Sequence, residues 1–505
     1  LLVAWGCATA TPSGTSGEQR AAAWLDAHRD RPPMLRMFLQ RMPKGGDIHT
    51  HVSGAVYAES YIEWAAADPG LCFDATRGTI ARCCPPACPT RPVADALRDG
   101  AFYSKLVDAL STRNLAKSPQ VGHDQFFASF SRFGEAGSNR APQMVAELAT
   151  RAADQNILYL ELMTSFRARE ARELGARTAY DGDFAATRAR LRSARTAGGQ
   201  DLDDLVKAAR ADVEALDTAV LRELGCRPDD PPGSCKVARR YLQQITRTLD
   251  PGVVFSQLVF AFELARAERR VVGLNLVAPE DDRIALRDYR QQMRMIGWLA
   301  EQYPGVNIAL HAGELALGLV PPADLRFHIR EAVEVGKARR IGHGVAIHYE
   351  RDAPQLLATM AEREVLVEIC LTSNDVILGV KGASHPFPDY LRAGVPVTLA
   401  SDDEGVSRID LTNEYVRATE TYRLRYEDLK RLSRNSVTYS FLAGPSLWAT
   451  RALEPVPQCR GDRPGGSPSG GCREFLDGSD KARMQWALER AFEEFEALPW
   501  LSGGR

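Results

Sequence analysis

Only nine of the 505 residues are histidine, yet four of them stand where chemistry would be expected. His49, His51, His311 and His343 fall at or just past the carboxyl ends of short β-rich runs, the rim on which a parallel β/α barrel gathers its reactive side chains. His49 and His51 are spaced i, i+2, so both project from one face of an extended strand and can reach a single ion; alone, such a pair reads more readily as two surface histidines. His311 opens His-Ala-Gly-Glu, which places Glu314 beside it; His343 lies in Arg-Ile-Gly-His-Gly-Val; Asp402 and Asp403 follow Ala400-Ser401. Three imidazoles with one carboxylate suit one Zn²⁺ per chain and leave a position for water, with His343 or Asp402 free to touch that water as well. Taken singly, Asp402-Asp403 also reads as a helix N-cap, and Glu314 as a solvated first-turn carboxylate. A carboxyl that is to hold a proton near neutral pH needs burial or a neighbouring negative charge.

The elements that would position these groups are short β-rich runs, each leading into a longer helical stretch, the pattern of parallel strands joined by crossover helices. Eight are read: 47–52, 157–164, 253–262, 271–278, 306–313, 341–347, 365–372 and 395–401. Several are nearly continuous apolar runs, as in strands covered on both faces. The fold expected is an α/β protein, a (β/α)8 TIM barrel, with a helical lead-in over Arg20 to Met42 and an amphipathic helix over Lys481 to Ala497. The barrel with its decorations occupies about 20–450. It is interrupted by a Cys-rich insertion near 66–95 and a polar helical one near 168–250. A Gly/Pro-rich segment and the terminal helix fill 451–505.

Composition narrows the partners. Lys plus Arg (63) nearly balances Asp plus Glu (65), so no net field draws nucleic acid, and no apolar stretch approaches the roughly 20 residues of a bilayer span. Residues 1–19 read as a signal or lipoprotein remnant and linker, with Cys7 as a lipid-anchor candidate; a plain cleaved signal and a chance apolar start are the alternatives. Eight of the ten cysteines cluster locally in even numbers: Cys72, Cys83, Cys84 and Cys88; Cys226 with Cys235; Cys459 with Cys472. Four local disulfides in an exported, periplasmic or secreted protein are therefore expected, with the pairing inside the first cluster left open. Cys370 is placed in a strand.

MPKGGDIHTHVSGAV, LHAGE, RIGHGVAI, EICLTSN and HPFPDYLRAGVPVTLASDDE, in this order between Met42 and Leu442, resemble the adenosine deaminase family, most closely its secreted growth-factor-like branch. The resemblance implies that His49, His51, His311 and Asp402 bind zinc and that Glu314 protonates purine N1. It further implies that His343 orients and deprotonates the attacking water, and that Asp403 bonds the N7 side. The implied substrate is a purine nucleoside, adenosine or 2′-deoxyadenosine, converted to the inosine product and ammonia. Ser53 replaces an Asp that contacts the ribose 5′-hydroxyl in many relatives, Ala278 replaces a Gly whose N–H meets purine N3, and Glu404 stands where Pro often follows the aspartates. The alternatives are a deaminase of an N6-substituted adenosine or adenine, and a non-catalytic secreted binding protein on the same scaffold. Two metals are disfavoured, because no Lys lies between Val271 and Glu280 to bridge them. The H-x-E with P-C-x-x-C pattern of the other zinc deaminases is absent.

Overall fold

A computed structural model describes residues 16–83, 90–117, 121–227, 229 and 231–501. Eight parallel strands form one sheet: β1 Gly45–His51, β2 Ile157–Thr164, β3 Ala238–Thr246, β4 Val271–Val277, β5 Asn307–Ala312, β6 Arg340–His343, β7 Leu366–Ile369 and β8 Val397–Leu399. Each pairs with the next in sequence. The sheet is drawn shut between its first and last members: the Asp402 N–H donates to the His49 carbonyl at 2.9 Å and the His51 N–H to the Asp402 carbonyl at 3.0 Å, around a Thr50–Asp402 bridge. This is a (β/α)8 barrel, and its seam runs through residues the sequence had marked for chemistry.

Seven of the eight expected runs contain a strand; the third does not. Residues 253–262 lie within the helix Pro251–Ala267, and the third strand is Ala238–Thr246, inside the segment expected to be a polar helical insertion. The reason is physical. That helix is buried continuously from Val254 to Leu264, so its sequence is apolar on every side and shows no helical period; only length and the proline in its first turn set it apart from a covered strand. β3 carries Arg239, Arg240, Gln243 and Gln244 and is only partly covered along its first three residues, so it reads as polar. The helices of the second insertion, Ala168–Ala176, Phe184–Ser193 and Leu202–Glu223, therefore end before β3 begins. The later strands are shorter than expected, since β6 passes into a 3₁₀ turn at Val345–Tyr349 and β7 into the helix Leu371–Leu378.

The lead-in is two helices, Gly17–His28 and Pro32–Arg41, the first closed by a capping box at Ser16, which satisfies otherwise unpaired N–H groups. The terminal helix is Asp480–Glu496. In the Cys-rich insertion, Leu71–Asp74 is the central strand of a small antiparallel sheet with Thr79–Arg82 and Thr90–Pro92. Cys72 is bonded to Cys83, Cys226 to Cys235 and Cys459 to Cys472; Cys7, Cys84 and Cys88 lie outside the described residues. Cys370 is a free, buried thiol just past β7, capping the next helix rather than lying in the strand. Among the described residues no helix is long and apolar enough to cross a membrane.

Candidate active site

The carboxyl ends of β1, β5, β6 and β8 bring the four histidines and two aspartates to one mouth. His49 is fully buried and His51 nearly so, and each directs Nε2 toward Asp402 Oδ1, at 3.5 and 3.3 Å. The Nε2 atoms of His51 and His311 stand 3.3 Å apart. One ligand atom from each of His49, His51, His311 and Asp402 falls within 4.8 Å of the others, a spacing that fits coordination to one ion at about 2 Å per bond.

What aims these rings is a set of acceptors from neighbouring strands. His49 Nδ1 meets Glu368 Oε2 of β7 at 2.5 Å, His51 Nδ1 meets Gln244 Oε1 of β3 at 2.7 Å, and His311 Nδ1 meets Asn275 Oδ1 of β4 at 2.9 Å. An imidazole whose Nδ1–H is donated outward keeps its Nε2 lone pair for a metal, and such contacts fix both tautomer and ring angle. The charge balance points the same way. Burial disfavours a charged His49, but hydrogen bonds to Asp402 and Glu368 outweigh it and lift the ring to about 10. These buried carboxylates thus demand positive charge at the point where His49 Nε2 faces Asp402 Oδ1 at 3.5 Å. Burial and repulsion from the other imidazoles hold His311 well below the usual range, so it is a neutral donor. Glu368 is kept ionised despite burial by Arg340, whose Nε lies 2.6 Å from Oε1, and by His49.

A second grouping, His49, His343, Cys370 and Asp402, is also close enough to share an ion. It is the poorer set. Burial raises the Cys370 thiol far above its ordinary value, and thiols ligate as thiolates.

Across from the cluster stands Glu314. Burial, reinforced by the Asp402 and Glu280 carboxylates, raises its carboxyl well above the usual range and so favours the protonated form. Its position is set through the main chain by Glu280. That buried carboxylate accepts the Gly313 N–H at 3.0 Å, the Glu314 N–H at 2.8 Å and His328 Nδ1 at 2.6 Å.

His343 Nε2 lies 3.5 Å from Glu314 Oε1 and 4.0 Å from Asp402 Oδ2. Burial drives this ring down to about 3 and His385 to about 4, so both are neutral. A chain of hydrogen bonds then fixes the tautomer. The Phe387 backbone N–H, which can only donate, meets His385 Nδ1 at 3.1 Å, so the His385 proton sits on Nε2 and is donated to Asn374 Oδ1 at 3.0 Å. Asn374 Nδ2 is thereby directed at His343 Nδ1, 2.9 Å away. His343 must carry its own proton on Nε2, facing the cluster: in this state it is a hydrogen-bond donor, suited to orienting a water rather than deprotonating it.

Asp403 is buried directly after Asp402, with Oδ1 unpaired, and burial together with Asp402 raises its carboxyl well above the usual range. Only glycine fits opposite it, because a Cβ on Gly54 would stand 1.6 Å from Asp403 Oδ1. Ser53 sits on the same short helix, Val52–Ala55, and its hydroxyl bonds none of these groups among the described residues. Ala278 follows β4 with φ +85°, and His343 and Asp402 are likewise left-handed at +68° and +60°. These three non-glycine residues at the mouth each carry backbone strain of about 1–2 kcal/mol, and ten other described non-glycine residues share that conformation. Glu404 pairs with Arg151 at 2.6 Å, and the same guanidinium donates to the Ala55 carbonyl, so this acid anchors the β8 loop to the segment after β1.

The group not anticipated is Gln244; Glu280, His385, Glu368, Asn374 and Asn275 lay in noted segments but without a role. For Asn275 and Glu368 the signal was a polar residue within an otherwise apolar strand; Glu280, Asn374 and His385 lie past strand ends, and Gln244 sits in a polar strand.

The sequence model of the adenosine deaminase family matches residues 143–447, more than half of the chain; His49 and His51 precede the matched span, and the fold delivers them to it. The chain is 36% identical over 139 residues to an adenosine deaminase of Enterococcus faecalis, a match covering 27% of this chain and 38% of that protein. Over 79% of the chain and 94% of the other, it superimposes on an adenine deaminase from Arthrobacter aurescens with a TM-score of 0.51 and 16% identity. With Arabidopsis ADAL complexed with IMP, the coverage is 90% and 99%, the TM-score 0.53 and the identity 17%. Family match, barrel and converging site agree: the chain belongs to the adenosine deaminase family.

Proposed function

We propose that this chain is a zinc-dependent aminohydrolase that replaces the 6-amino group of adenosine or 2′-deoxyadenosine with oxygen, releasing ammonia. The observation that carries the reading is the opposition of a four-donor cation site and a buried carboxyl whose surroundings favour its protonated form. His49, His51, His311 and Asp402 would hold the ion. Zinc bound there supplies acidified water, its pKa falling from about 15.7 to about 7, a change worth roughly 12 kcal/mol. Glu314 gives its proton to ring N1, which draws electron density from C6 and readies it for attack. His343 donates Nε2–H to the oxygen of the incoming water and fixes its approach, while Asp402 Oδ2, the carboxylate oxygen facing that ring, is placed to receive the water's proton. Protonated Asp403 donates to N7. The C6–O bond forms, the C6–N bond breaks, the proton taken by Asp402 leaves with the amine as ammonia, and the remaining hydroxyl proton returns to Glu314 as the product settles with a carbonyl at C6 and hydrogen on N1.

Supporting adenosine over other aminopurines are the motif set and the sequence similarity to a named adenosine deaminase. Ser53 and Ala278 act on the other side, because both stand where substrate would be contacted. The test is ultraviolet assay of adenosine, 2′-deoxyadenosine, adenine, AMP and N6-methyladenosine with zinc-loaded protein. The nucleosides are expected to turn over fastest. Preference for adenine or N6-methyladenosine would transfer the reading to those substrates, and inertness toward all five would leave a binding protein.

We also infer an oxidising, extracytoplasmic home, supported by the three disulfides and by the rarity of structural disulfides in reducing compartments. Peptide mapping without reductant should join Cys226 to Cys235. Free thiols at both positions in protein from its native compartment would contradict this.

A further inference from the structure

A cavity of about 840 Å³ among the described residues lies away from the mouth. It opens at the opposite end of the barrel, where β6, β7 and β8 begin, and is walled by the helix Tyr426–Thr438 and the loop around Trp448. Its size falls in the range of small-molecule sites, about 300–1,000 Å³.

Its charge is one-sided. Seven lysines and arginines line it against three carboxylates, and each carboxylate is already engaged: Glu364 by Arg451, Glu427 by Arg425, Asp428 by Arg425 and Arg431. Arg434 is held by Glu489. Lys337 donates to the Glu334 carbonyl at a helix end, and Arg363 caps the helix Ala353–Glu362, positions where a cation offsets exposed carbonyls without any ligand.

Arg339 and Lys481 have no such explanation. Arg339 donates to Asn307 Oδ1 at 2.8 Å and Lys481 Nζ to the Thr438 carbonyl at 3.1 Å, both neutral acceptors, and among the described residues neither has a carboxylate within ion-pair distance. The acid nearest in influence, Glu161, is taken up by Arg340 at 2.7 Å, the Tyr159 hydroxyl and the Phe441 N–H. The two cations repel each other: burial, then the charge of Arg339, pushes Lys481 down to about 8, and burial with the adjacent Arg340 lowers Arg339. Arg339 is solvent-exposed and Lys481 half-buried, and two neighbouring like charges without counterions favour an anion that joins them. Beside them, Tyr439, Phe441 and Trp448 add flat apolar surface to the lining.

We propose that this cavity binds a phosphate-bearing small molecule with a flat ring, its phosphate held between Arg339 and Lys481. It is a site separate from the deaminase mouth: the first contributes anion binding, the second the reaction.

Titration calorimetry of the full, zinc-loaded chain with uridine 5′-monophosphate, which has a phosphate and a ring but no 6-amino purine, tests this. UMP should bind with a Kd of about 1 mM or tighter, uridine should not, and binding should weaken with added salt. Lys481→Gln and Arg339→Gln should each weaken UMP binding about tenfold, leaving zinc content and adenosine turnover unchanged; thermal melts check that the variants fold. No binding of UMP at several millimolar, binding indifferent to both substitutions, or displacement of UMP by adenosine would each overturn the proposal.

Discussion

Glu314→Gln is expected to keep one zinc per chain and lose about 10²- to 10⁴-fold in turnover, the range for a positioned proton donor, or about 3 to 5 kcal/mol. The amide is nearly isosteric, and Glu280 grips residue 314 through its backbone N–H at 2.8 Å, so the loop should keep its path. None of the four proposed ligands depends on the Glu314 side chain; its close contact is His343 Nε2 at 3.5 Å. What vanishes is the acidic proton, whose retention burial and the Asp402 and Glu280 carboxylates favour. The sign of the pH effect follows. A raised carboxyl is active while protonated, so turnover in the parent falls as pH rises through its elevated pKa, and the Gln variant loses that alkaline limb. The readouts are ultraviolet kinetics and elemental analysis of the same sample. A variant with near-parental turnover would remove Glu314 from the chemistry.

The parts of this site legible in the sequence were those whose residue type is itself chemical. Nine histidines in 505 residues make four at strand ends conspicuous, and the aspartate pair after an apolar strand completes them. The residues that make the cluster work were harder to see, because Gln244, Asn275 and Glu368 serve His51, His311 and His49 across separations of 193, 36 and 319 residues. No local pattern encodes such pairs; the barrel does, by placing neighbouring strands side by side. The tautomer of His343 is more remote still, since it is set by a backbone N–H at Phe387 through two intervening side chains.

The fold shows the same division. Covered strands announced themselves by unbroken apolar runs, and β5 to β8 are buried along nearly their whole length. The same rule misplaced β3, since burial on all sides gives the helix Pro251–Ala267 the identical signature. Polar β3 is explained by partners outside the barrel core: Arg240 bonds Asp480 of the terminal helix at 3.0 Å, and Gln243 Oε1 accepts the Phe166 N–H at 3.0 Å. Likewise, Gly54 reads as an ordinary small residue until Asp403 is seen pressed against it.

Loss of the ion should be costlier than loss of the acid, because roughly 12 kcal/mol of water acidification exceeds the 3 to 5 assigned to proton donation. His311 is the most informative ligand to remove. It is a neutral donor on β5, aimed by Asn275, and makes no contact that closes the barrel, unlike Asp402 at the seam. Deleting one of four donors typically abolishes tight binding at a site of this type. The decisive measurement is therefore the zinc content of His311→Ala after dialysis against a weak chelator, beside the parent chain. One zinc per chain in the parent, and close to none in a folded variant without detectable turnover, is the predicted result. A folded variant that retains one tightly held zinc would contradict the four-donor centre and everything derived from it.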